Sequence, residues 1–463
     1  MLRKEQAVAR PVEGMALILI AIFTLLAFFS ANVALQVRQG LSPWGSLLGA
    51  LLPPLLTIVT FTVFHHFLGW QKLQSEQILY PVVCLLFSVG LVVIWRLRGA
   101  EGAWQQILRG LILGIILVGL LVARPLWIER IRRWAIVICL VGLALPVLTG
   151  LFGSVDETGA RLALKIGSLP AIQTSEPLKL VLIIFLAWFI EQQGRAAEGR
   201  AHILFGWLRL PALKYFVPGV LFVVLATCAL VLMSDYGAVL ILGFIFIGML
   251  YVGFETRTFL TVLAISIILV LMMSLVLSVL WEVPAVIQYR FQAYQDPWSR
   301  EMIMVNGQPS GVTIADGPGY QIQQAIYAIT AGGITGSGLG FGSPDYVPLA
   351  HSDFIMAAVV EELGAIIGAA ILILFAVLLM RIFRVVFQLP PGQVFERLLL
   401  VGIGIHLFTQ VFVMAGGTLN LLPVTGVTIP FLSLGGMAVV TNMVEIGLVL
   451  ALIRRQEGAV NNV

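Results

Sequence analysis

About twelve segments of this chain are long and apolar enough to cross a lipid bilayer. A membrane helix needs about 20 apolar residues to span roughly 30 Å of hydrocarbon. The chain has 463 residues, of which 60% are hydrophobic and 11% charged, and its mean hydropathy is +1.03. Backbone polar groups cannot stay unpaired in lipid, so spanning segments form helices or a closed barrel. Because the runs are continuously apolar rather than alternating, the sequence predicts an all-α, polytopic membrane protein.

The hydropathy pattern gives the position and the orientation of these helices. Most of the 27 Lys and Arg residues fall on the same side as the N-terminus, with Arg124, Arg130, Arg132 and Arg133 in one short loop. The positive-inside rule therefore predicts a multi-pass protein of the cytoplasmic (inner) membrane with both termini in the cytoplasm. The predicted spans are near residues 14–34, 45–68, 80–96, 108–123, 134–152, 177–193, 214–233, 236–253, 258–281, 355–380, 397–416 and 431–453.

Two simple composition features exclude other classes of protein. The three cysteines, Cys84, Cys139 and Cys228, all fall inside apolar runs without the spacing of a metal site or a disulfide framework, so we interpret them as small core residues. The net charge of +4 is small and is explained by loop arginines near anionic lipid. We therefore expect no nucleic-acid partner.

Two segments on the predicted outer side are unusually polar. Residues 153–176 form one of them, and residues 282–354 form the longest loop, which precedes the tenth helix and is rich in Gly, Pro, Tyr and acids. A long loop on a compact domain is usually either functional or disordered. Because it contains a helical-looking stretch from Tyr320 to Ile329, we predict an ordered re-entrant or interfacial structure.

The first group of candidate residues opens the sixth predicted helix. Glu176 and Lys179 are three residues apart and so share one helix face. A charge in hydrocarbon costs roughly 2.5–3.5 kcal/mol on insertion scales, so the two are either a structural ion pair or part of a polar cavity open to the outer face. In such a cavity Lys179 would meet an anionic group that Glu176 helps to position. The same polar segment contains Arg161, Gln173 and Ser175.

The second group lies where the long loop enters a membrane helix. Asp353 stands at that junction, two residues after His351. An acid there commonly caps the helix, but a carboxylate at the membrane edge beside a histidine is also a plausible general base. Glu361 and Glu362 lie about two turns further along, where adjacent acids are costly unless they cap or bind something. The sequence leaves these alternatives open.

Two further motifs are weaker evidence. Gly336, Gly338 and Gly340 belong to a glycine-rich stretch that permits tight turns and a close backbone approach to a ligand. Ser433 and Asn442 follow a proline-flanked loop and open the last helix. Small and polar residues at this position favour close helix packing over ligand contact.

Taken together, these motifs resemble those of the SEDS family (FtsW, RodA, SpoVE) over about residues 80–455. The stretch "GARLALKIGSLPAIQTSEPLK" is similar to the family pattern "GARRW…G…QPSE..K". The stretch "GYQIQQAIYAITAGGITGSGLGFGSPDYVPLAHSDFIMAAVVEELG" is similar to "GYQ…Q…GGLFGxGLG…LPEAHTDFIFAxxxEELG", and "LLPVTGVTIPFLSLGG…N" to "LPVTGxPLPFxSYGG…N". A family "DLG" step matches Asp235-Tyr236-Gly237.

The resemblance implies a domain organisation and an activity. A core of ten helices would occupy residues 80–455, two additional N-terminal helices as in actinobacterial-type relatives would occupy 1–79, and 456–463 would be a cytoplasmic tail. Family members polymerise lipid II into peptidoglycan glycan strands during elongation or division, paired with a class B penicillin-binding protein. The family's proposed catalytic aspartate falls on Asp353, its cavity residues on Glu176 and Lys179, and a further acid on Asp345.

The implied reaction is an inverting displacement, in which the 4-hydroxyl of one sugar attacks the anomeric carbon of another and a polyprenyl pyrophosphate leaves. Asp353 would then be the base, and Lys179 with Arg161 would stabilise the leaving group. A divalent cation such as Mg or Mn is a further candidate for that role. The rival interpretation is a flippase or other transporter, which should place its key charges near the bilayer midplane.

Several departures from the family pattern concern loops and one helix. Thr174, Ser352, Leu434 and Ala163 replace the family's Pro, Thr, Tyr and Trp, and residues near 300–315 look inserted. Glu445, an acid inside the last predicted helix, matches no family position. The charged positions of the motifs are intact.

Overall fold

A computed structural model describes residues 8–42, 47–154, 161, 163–165, 172–194, 202–204, 208–210, 213–261, 263–264, 285–305 and 308–460. Over these residues the protein is almost entirely helical, as its composition predicted. The helices are α1 (Pro11–Arg38), α2 (Leu47–Trp70), α3 (Leu79–Gln105), α4 (Leu113–Ala123), α5 (Trp127–Arg133), α6 (Ala135–Phe152), α7 (Ser175–Phe189), α8 (Leu213–Leu232), α9 (Tyr236–Gly253), α10 (Ala285–Gln295), α11 (Pro318–Gly332), α12 (Ile355–Gln388), α13 (Val394–Thr418) and α14 (Gly436–Val460). Short π-helical turns follow α3 (Gln106–Ile112) and α7 (Ile190–Gly194).

Short antiparallel ribbons complete the described secondary structure. They pair β1 with β2, β3 with β4 and β5 with β6. The strands are β1 (Ala163–Leu164), β2 (Ile172–Gln173), β3 (His202–Leu204), β4 (Leu208–Leu210), β5 (Met302–Val305) and β6 (Gln308–Thr313). The stretch that looked inserted near residues 300–315 is thus a β-hairpin on the long loop.

Eight helices of the described chain are long and apolar enough to cross a membrane, with α8 as a shorter apolar helix. Their surface carries exposed apolar side chains, such as Met15 on α1 and Leu48 on α2, as a lipid-facing surface should. The centre of the bundle is formed by α13 and α14, because 72% and 83% of their most apolar stretches are buried against 33% for α1 and α2. The predicted span near 258–281 lies largely outside the described residues.

Two glycines with non-helical backbone angles interrupt long apolar helices. Gly99 (φ 62°, ψ −154°) bends the apolar run Leu79–Ala123 between the predicted spans 80–96 and 108–123. Gly364 (φ 87°, ψ 164°) interrupts α12 within the predicted span 355–380, which the helix Ile355–Gln388 otherwise confirms. The physical reason is crowding, since a Cβ on Gly364 would lie 2.4 Å from the carbonyl oxygen of Ile334.

The bundle has two distinct ends. At one end, which we call the terminal end, Glu457 of α14 accepts hydrogen bonds from the backbone of Gln74 and Ser75. Arg455 pairs there with Glu129 and Glu396. At the other end, the loop end, lie residues 296–305, 308–354 and 419–435.

The first two helices are fixed to the rest of the bundle at both ends. At the terminal end Arg10 and Glu13 form a buried ion pair, and Arg10 also donates to the carbonyl of Leu73. At the loop end Arg38 donates to the carbonyl of Gly342. The division of the chain at residue 79 stays a prediction, since α1 packs directly on α3.

The long loop is ordered over its described residues. The predicted helical stretch Tyr320–Ile329 lies within α11. Gln323 of α11 donates from its amide to the carbonyls of Pro297 and Ala315, which flank the hairpin. The hairpin is therefore anchored at its base to α11.

The cysteines are free thiols. Cys84 and Cys139 are buried as predicted, whereas Cys228 is exposed on α8, so the core assignment is wrong for that residue.

Candidate functional site

The predicted pair Glu176 and Lys179 forms a direct ion pair at the start of α7. Lys179 Nζ donates to Glu176 Oε1 at 2.8 Å, and the two side chains are only 2% and 8% exposed, lysine first. The pair forms because α7 starts at Ser175, which places both residues on one face of its first turns. Within the described residues, Glu176 Oε2 and Ser175 Oγ have no hydrogen-bond partner. The pair thus keeps an unused acceptor.

Gln173 lies in the short ribbon that precedes α7, and Arg161 lies just before the first strand of that ribbon. Gln173 of β2 pairs with Ala163 of β1. The Arg161 guanidinium donates to the carbonyls of Gly150 and Leu151 at 2.9 and 3.0 Å. These carbonyls end α6, so Arg161 satisfies acceptors that a helix C-terminus leaves unpaired. The glycine and alanine before it, at 159–160, lie outside the described residues.

Asp353 lies in the turn that leads into α12, but it does not cap that helix. The N-cap residue is Phe354, with no side-chain capping bond. The capping interpretation is therefore wrong. The carboxylate instead borders a small cavity lined by the end of α13 and by residues 424–427. A Cβ on Gly426, whose φ is +73°, would lie 3.5 Å from Asp353 Oδ2.

The surroundings of Asp353 favour its protonated form more than water does. Burial raises the pKa of Asp353 from 3.8 to about 6, while the hydrogen bond from Ser352 and the charge of Arg290 act in the opposite direction. The charge of Asp235 raises this pKa further. Burial and the charge of Arg98 lower the pKa of His351. Near neutral pH the pair is therefore a carboxylate and a neutral imidazole.

The turn containing Asp353 is held by the loop before α14. Ser433 Oγ donates to the carbonyl of Ser352 at 2.6 Å and accepts from the backbone of Ile429 at 3.0 Å. The Leu434 amide donates to the carbonyl of His351 at 2.9 Å. Ser433 thus has a structural role: it holds the backbone on which Asp353 is mounted.

The turn at residues 233–237, between α8 and α9, joins the two predicted groups. On one side Thr174, next to α7, contacts Met233 Sδ at 3.9 Å. On the other side a Cβ on Gly237 would lie 2.4 Å from the carbonyl oxygen of Thr425, beside the Asp353 cavity. Among the described contacts, Asp353 has no hydrogen bond or ion pair with Glu176 or Lys179. The two groups are neighbours across this turn rather than direct partners.

Glu361 and Glu362 bind the glycine-rich loop of the protein itself. Glu362 accepts from Arg96 Nε and from the Gly340 amide, both at 3.0 Å. Glu361 accepts from the Ser343 amide at 2.6 Å. We call this arrangement, made of residues 332–345 with Glu361, Glu362 and Arg96, the acidic clasp. The sequence left open whether these two acids cap backbone groups or bind something else. The structure shows that both accept hydrogen bonds from backbone amides.

The glycines of the clasp allow a close approach to α12. Gly336, Gly338 and Gly340 all have positive φ, between 83° and 97°. A Cβ on Gly336 would lie 2.4 Å from the Glu362 carbonyl oxygen. The glycine-rich stretch predicted a close backbone approach to a ligand, but at Gly336 the close approach is to helix α12 of the protein itself.

Asp345 and Arg96 complete the clasp. Arg96 Nη1 lies 3.2 Å from Asp345 Oδ2, with the arginine side chain 3% exposed and the aspartate 54%. Sequence reasoning missed Arg96, although an arginine at the end of an apolar run is itself a signal, because an unpaired charge there is costly. It also missed Arg290 and the closeness of Asp235 to Asp353.

A further polar cluster lies between α7, α13 and α14. Asn442 is buried there, and within the described residues its side-chain amide has no hydrogen-bond partner. Glu445, which matched no family position, pairs with His406 at 2.6 Å. In the part of the chain that the structure describes, no three His, Cys, Asp or Glu side chains are grouped to hold a metal ion.

Known proteins resemble this chain along most of its length. The profile of the FtsW, RodA and SpoVE family, described as cell cycle proteins, matches residues 76–458. Peptidoglycan glycosyltransferase RodA of Mycobacterium tuberculosis is 29% identical over 447 residues, covering 94% of this chain and 89% of that protein. The probable peptidoglycan glycosyltransferase FtsW of Thiomicrospira cyclica is 31% identical over 335 residues, covering 72% and 76%.

Solved structures agree with the sequence matches. One chain, from work on the structural coordination of polymerization and crosslinking by a peptidoglycan synthase complex, superposes with a TM-score of 0.62 at 26% identity, covering 82% of this chain and 97% of that one. RodA of Thermus thermophilus shares the fold, with a TM-score of 0.53 at 24% identity and 82% and 96% coverage. Since the family profile covers most of the chain and the motifs appear in family order, the protein belongs to the FtsW, RodA and SpoVE family, the SEDS family that its sequence resembles.

Proposed function

We propose that this protein is a peptidoglycan glycosyltransferase that polymerises lipid II into glycan strands at the outer face of the cytoplasmic membrane. Family membership supports this activity, since the RodA and FtsW relatives are named peptidoglycan glycosyltransferase and probable peptidoglycan glycosyltransferase. The match extends over 94% of the chain, so it includes the helices and the loop end together. The flippase interpretation gains no support from these relatives.

The proposal depends mainly on the position and the raised pKa of the Asp353 carboxyl group. Its carboxylate borders a cavity at the loop end, does not cap α12, and has a pKa raised to about 6 by burial. A general base works best when its pKa is near the operating pH, and a positioned base typically contributes about 10²–10⁴-fold. Asp353 would take the proton of the attacking 4-hydroxyl. A single displacement of this kind inverts the anomeric carbon.

Lys179 is proposed to stabilise the pyrophosphate that leaves. Its ammonium is held by Glu176 at 2.8 Å, and both groups are enclosed at the start of α7. A preorganised cation in such a site stabilises developing negative charge more strongly than the same cation in water. Arg161 is a weaker candidate, because its guanidinium already donates to the end of α6. A divalent cation, Mg or Mn, is proposed to arrive with the pyrophosphate oxygens.

The orientation and partner follow from the same reasoning. Arg130, Arg132, Arg381 and Arg455 lie at or near the terminal end, which supports cytoplasmic termini by the positive-inside rule. The loop end would then face outward, where lipid II is polymerised. A class B penicillin-binding protein of the division or elongation complex is the proposed partner, in line with the synthase complex of the structural neighbour.

The test is polymerisation of purified lipid II by the protein together with its penicillin-binding partner. We expect Asp353→Asn to abolish glycan strands on a gel, while the protein stays folded and inserted. Asp345→Asn is the matched control, because that carboxylate is half exposed and bound to Arg96 in the clasp. Strands of normal length and amount from Asp353→Asn would rule out Asp353 as the base.

A further inference from the structure

The buried pair His406 and Glu445 lies outside the roles proposed for Asp353, Lys179 and Glu176. His406 Nδ1 lies 2.6 Å from Glu445 Oε1, and both side chains are 0% exposed. Ionisable groups inside a membrane bundle are costly, and they usually mark a functional pathway or site. Glu445 also lies outside the motifs that resemble the family pattern.

The pair lies at the same depth as Lys179. Gly402 of α13 packs on Ile183 of α7 so closely that a Cβ would lie 2.5 Å from Ile183 Cγ2. His406 is one helical turn from Gly402, and Lys179 is one turn from Ile183. The charges of Lys179 and Glu176 act on Glu445, so the two pairs lie within electrostatic range, although among the described residues Glu445 and Lys179 form no direct ion pair.

Polar side chains from three helices converge at this level. Each helix contributes two residues spaced by about one turn, so that both face the same neighbour. They are Glu176 and Lys179 on α7, His406 and Gln410 on α13, and Asn442 and Glu445 on α14. All six are buried.

The cluster is incompletely paired within the protein. Among the described residues, no hydrogen-bond partner is found for Glu176 Oε2, His406 Nε2, Glu445 Oε2 or either amide atom of Gln410 and Asn442. Native structures leave few buried polar atoms unpaired, so a concentration of them calls for an explanation. A network made only to hold helices together would pair these atoms with each other. Their number favours a polar pocket beside Lys179.

We propose that Glu445, oriented by His406, is a positioning residue that fixes Lys179 for its contact with the leaving pyrophosphate. Glu176 alone would hold the ammonium against its own helix. Glu445 on α14 adds a second negative charge at longer range, which attracts the ammonium toward a different helix and so restricts its position. This inference rests on the proposed glycosyltransferase activity and adds His406 and Glu445 to its machinery.

The experiment compares single and paired replacements in the full-length protein with its partner. Removing one member strands the other, so Glu445→Gln and His406→Gln should each lower the melting temperature in detergent. The double variant His406→Met/Glu445→Met leaves no stranded charge and should recover most of that temperature. We expect its kcat on lipid II to stay about tenfold or more below wild type, with a much smaller change in KM.

Recovery of kcat together with the melting temperature in the double variant would overturn the proposal, because the pair would then be purely structural. The matched control is the largely enclosed ion pair Glu76–Arg381 at the terminal end, whose Glu76→Gln/Arg381→Met variant should leave kcat of the folded protein unchanged. An equal fall in kcat for this control would also contradict the inference, since any buried pair would then have the same effect.

A second measurement tests whether the pair acts through Lys179. Lys179→Ala should lower the rate strongly, and adding the double replacement to it should lower the rate by less than about twofold more. Losses that multiply would show independent action and contradict the proposal. If wild-type protein makes no glycan from lipid II, the proposed function itself fails. If wild type polymerises and the double variant is fully active, only this inference fails.

Discussion

Two carboxylates nine residues apart, Asp353 and Glu362, follow the same loop into the same helix but have opposite surroundings. Both oxygens of Glu362 are occupied, one by the buried Arg96 guanidinium and the other by the Gly340 amide. Asp353 has a hydrogen bond from Ser352 and otherwise borders a cavity, with Arg290 and Asp235 acting at longer range.

The difference shows how to separate a structural acid from a chemical one. Hydrogen bonds and an opposite charge stabilise the ionised form of a carboxylate and consume its acceptors, so it has little capacity left for substrate. A carboxylate with fewer such partners keeps acceptors free, and at Asp353 burial outweighs the Ser352 hydrogen bond and the Arg290 charge and so favours the protonated form. Glu362 therefore stabilises the fold, whereas Asp353 is available to exchange a proton.

The largest effect is expected from a substitution of Glu362, the structural carboxylate of the two. Glu362→Gln removes the charge that faces Arg96 and should destabilise the protein by about 3–5 kcal/mol, the usual result of stranding one buried partner. We expect a clear fall in the melting temperature in detergent. The double variant Arg96→Met/Glu362→Met should regain part of the loss. A melting temperature unchanged by Glu362→Gln would show that the clasp does not hold the loop.

A substitution of Asp353, the chemical carboxylate, is expected to change the stability of the protein in the opposite direction. The pKa of Asp353 is raised above its unfolded value of 3.8 to about 6, so folding favours the protonated acid and loses stability as the pH rises from about 4 to 6. Above pH 6 the ionised form costs up to roughly 3 kcal/mol. Asp353→Asn should therefore raise the melting temperature at pH 8 while abolishing polymerisation. At pH 4 the difference from wild type should be much smaller.

These two acids also show what the sequence could and could not predict. Hydropathy predicted the helices, and the motifs predicted that Glu176 and Lys179 share a face, because both depend on local spacing. The roles of Glu361 and Glu362 stayed open because their partners are far away in the chain, including Arg96 at more than 260 residues. The break at Gly364 was missed for the same reason, since the crowding comes from Ile334 and Thr335.

A smaller effect is expected in the glycines of the clasp. Gly336 and Gly338 both have positive φ, which costs a non-glycine residue roughly 1–2 kcal/mol. At Gly336 a Cβ would also collide with the Glu362 carbonyl oxygen at 2.4 Å, whereas at Gly338 the nearest atom is 3.4 Å away in the Phe341 ring. Gly336→Ala should therefore lower the melting temperature more than Gly338→Ala. Equal effects would mean that the backbone conformation alone requires these glycines.

The last prediction concerns the pH dependence of the rate. A base must be ionised to accept a proton, so kcat/KM for lipid II should be level above pH 7 and fall about tenfold per pH unit below about pH 6. Asp345→Asn should keep this profile, because that acid is bound to Arg96 and lies in the clasp. Gly426→Ala should shift it, since the new methyl group would lie 3.5 Å from Asp353 Oδ2 and further desolvate the carboxylate, which raises its pKa. The profile of Gly426→Ala should therefore fall at a higher pH than that of wild type. A wild-type rate that stays level down to pH 4.5 would show that the group that accepts the proton has an ordinary acid pKa, which would exclude Asp353 as that group.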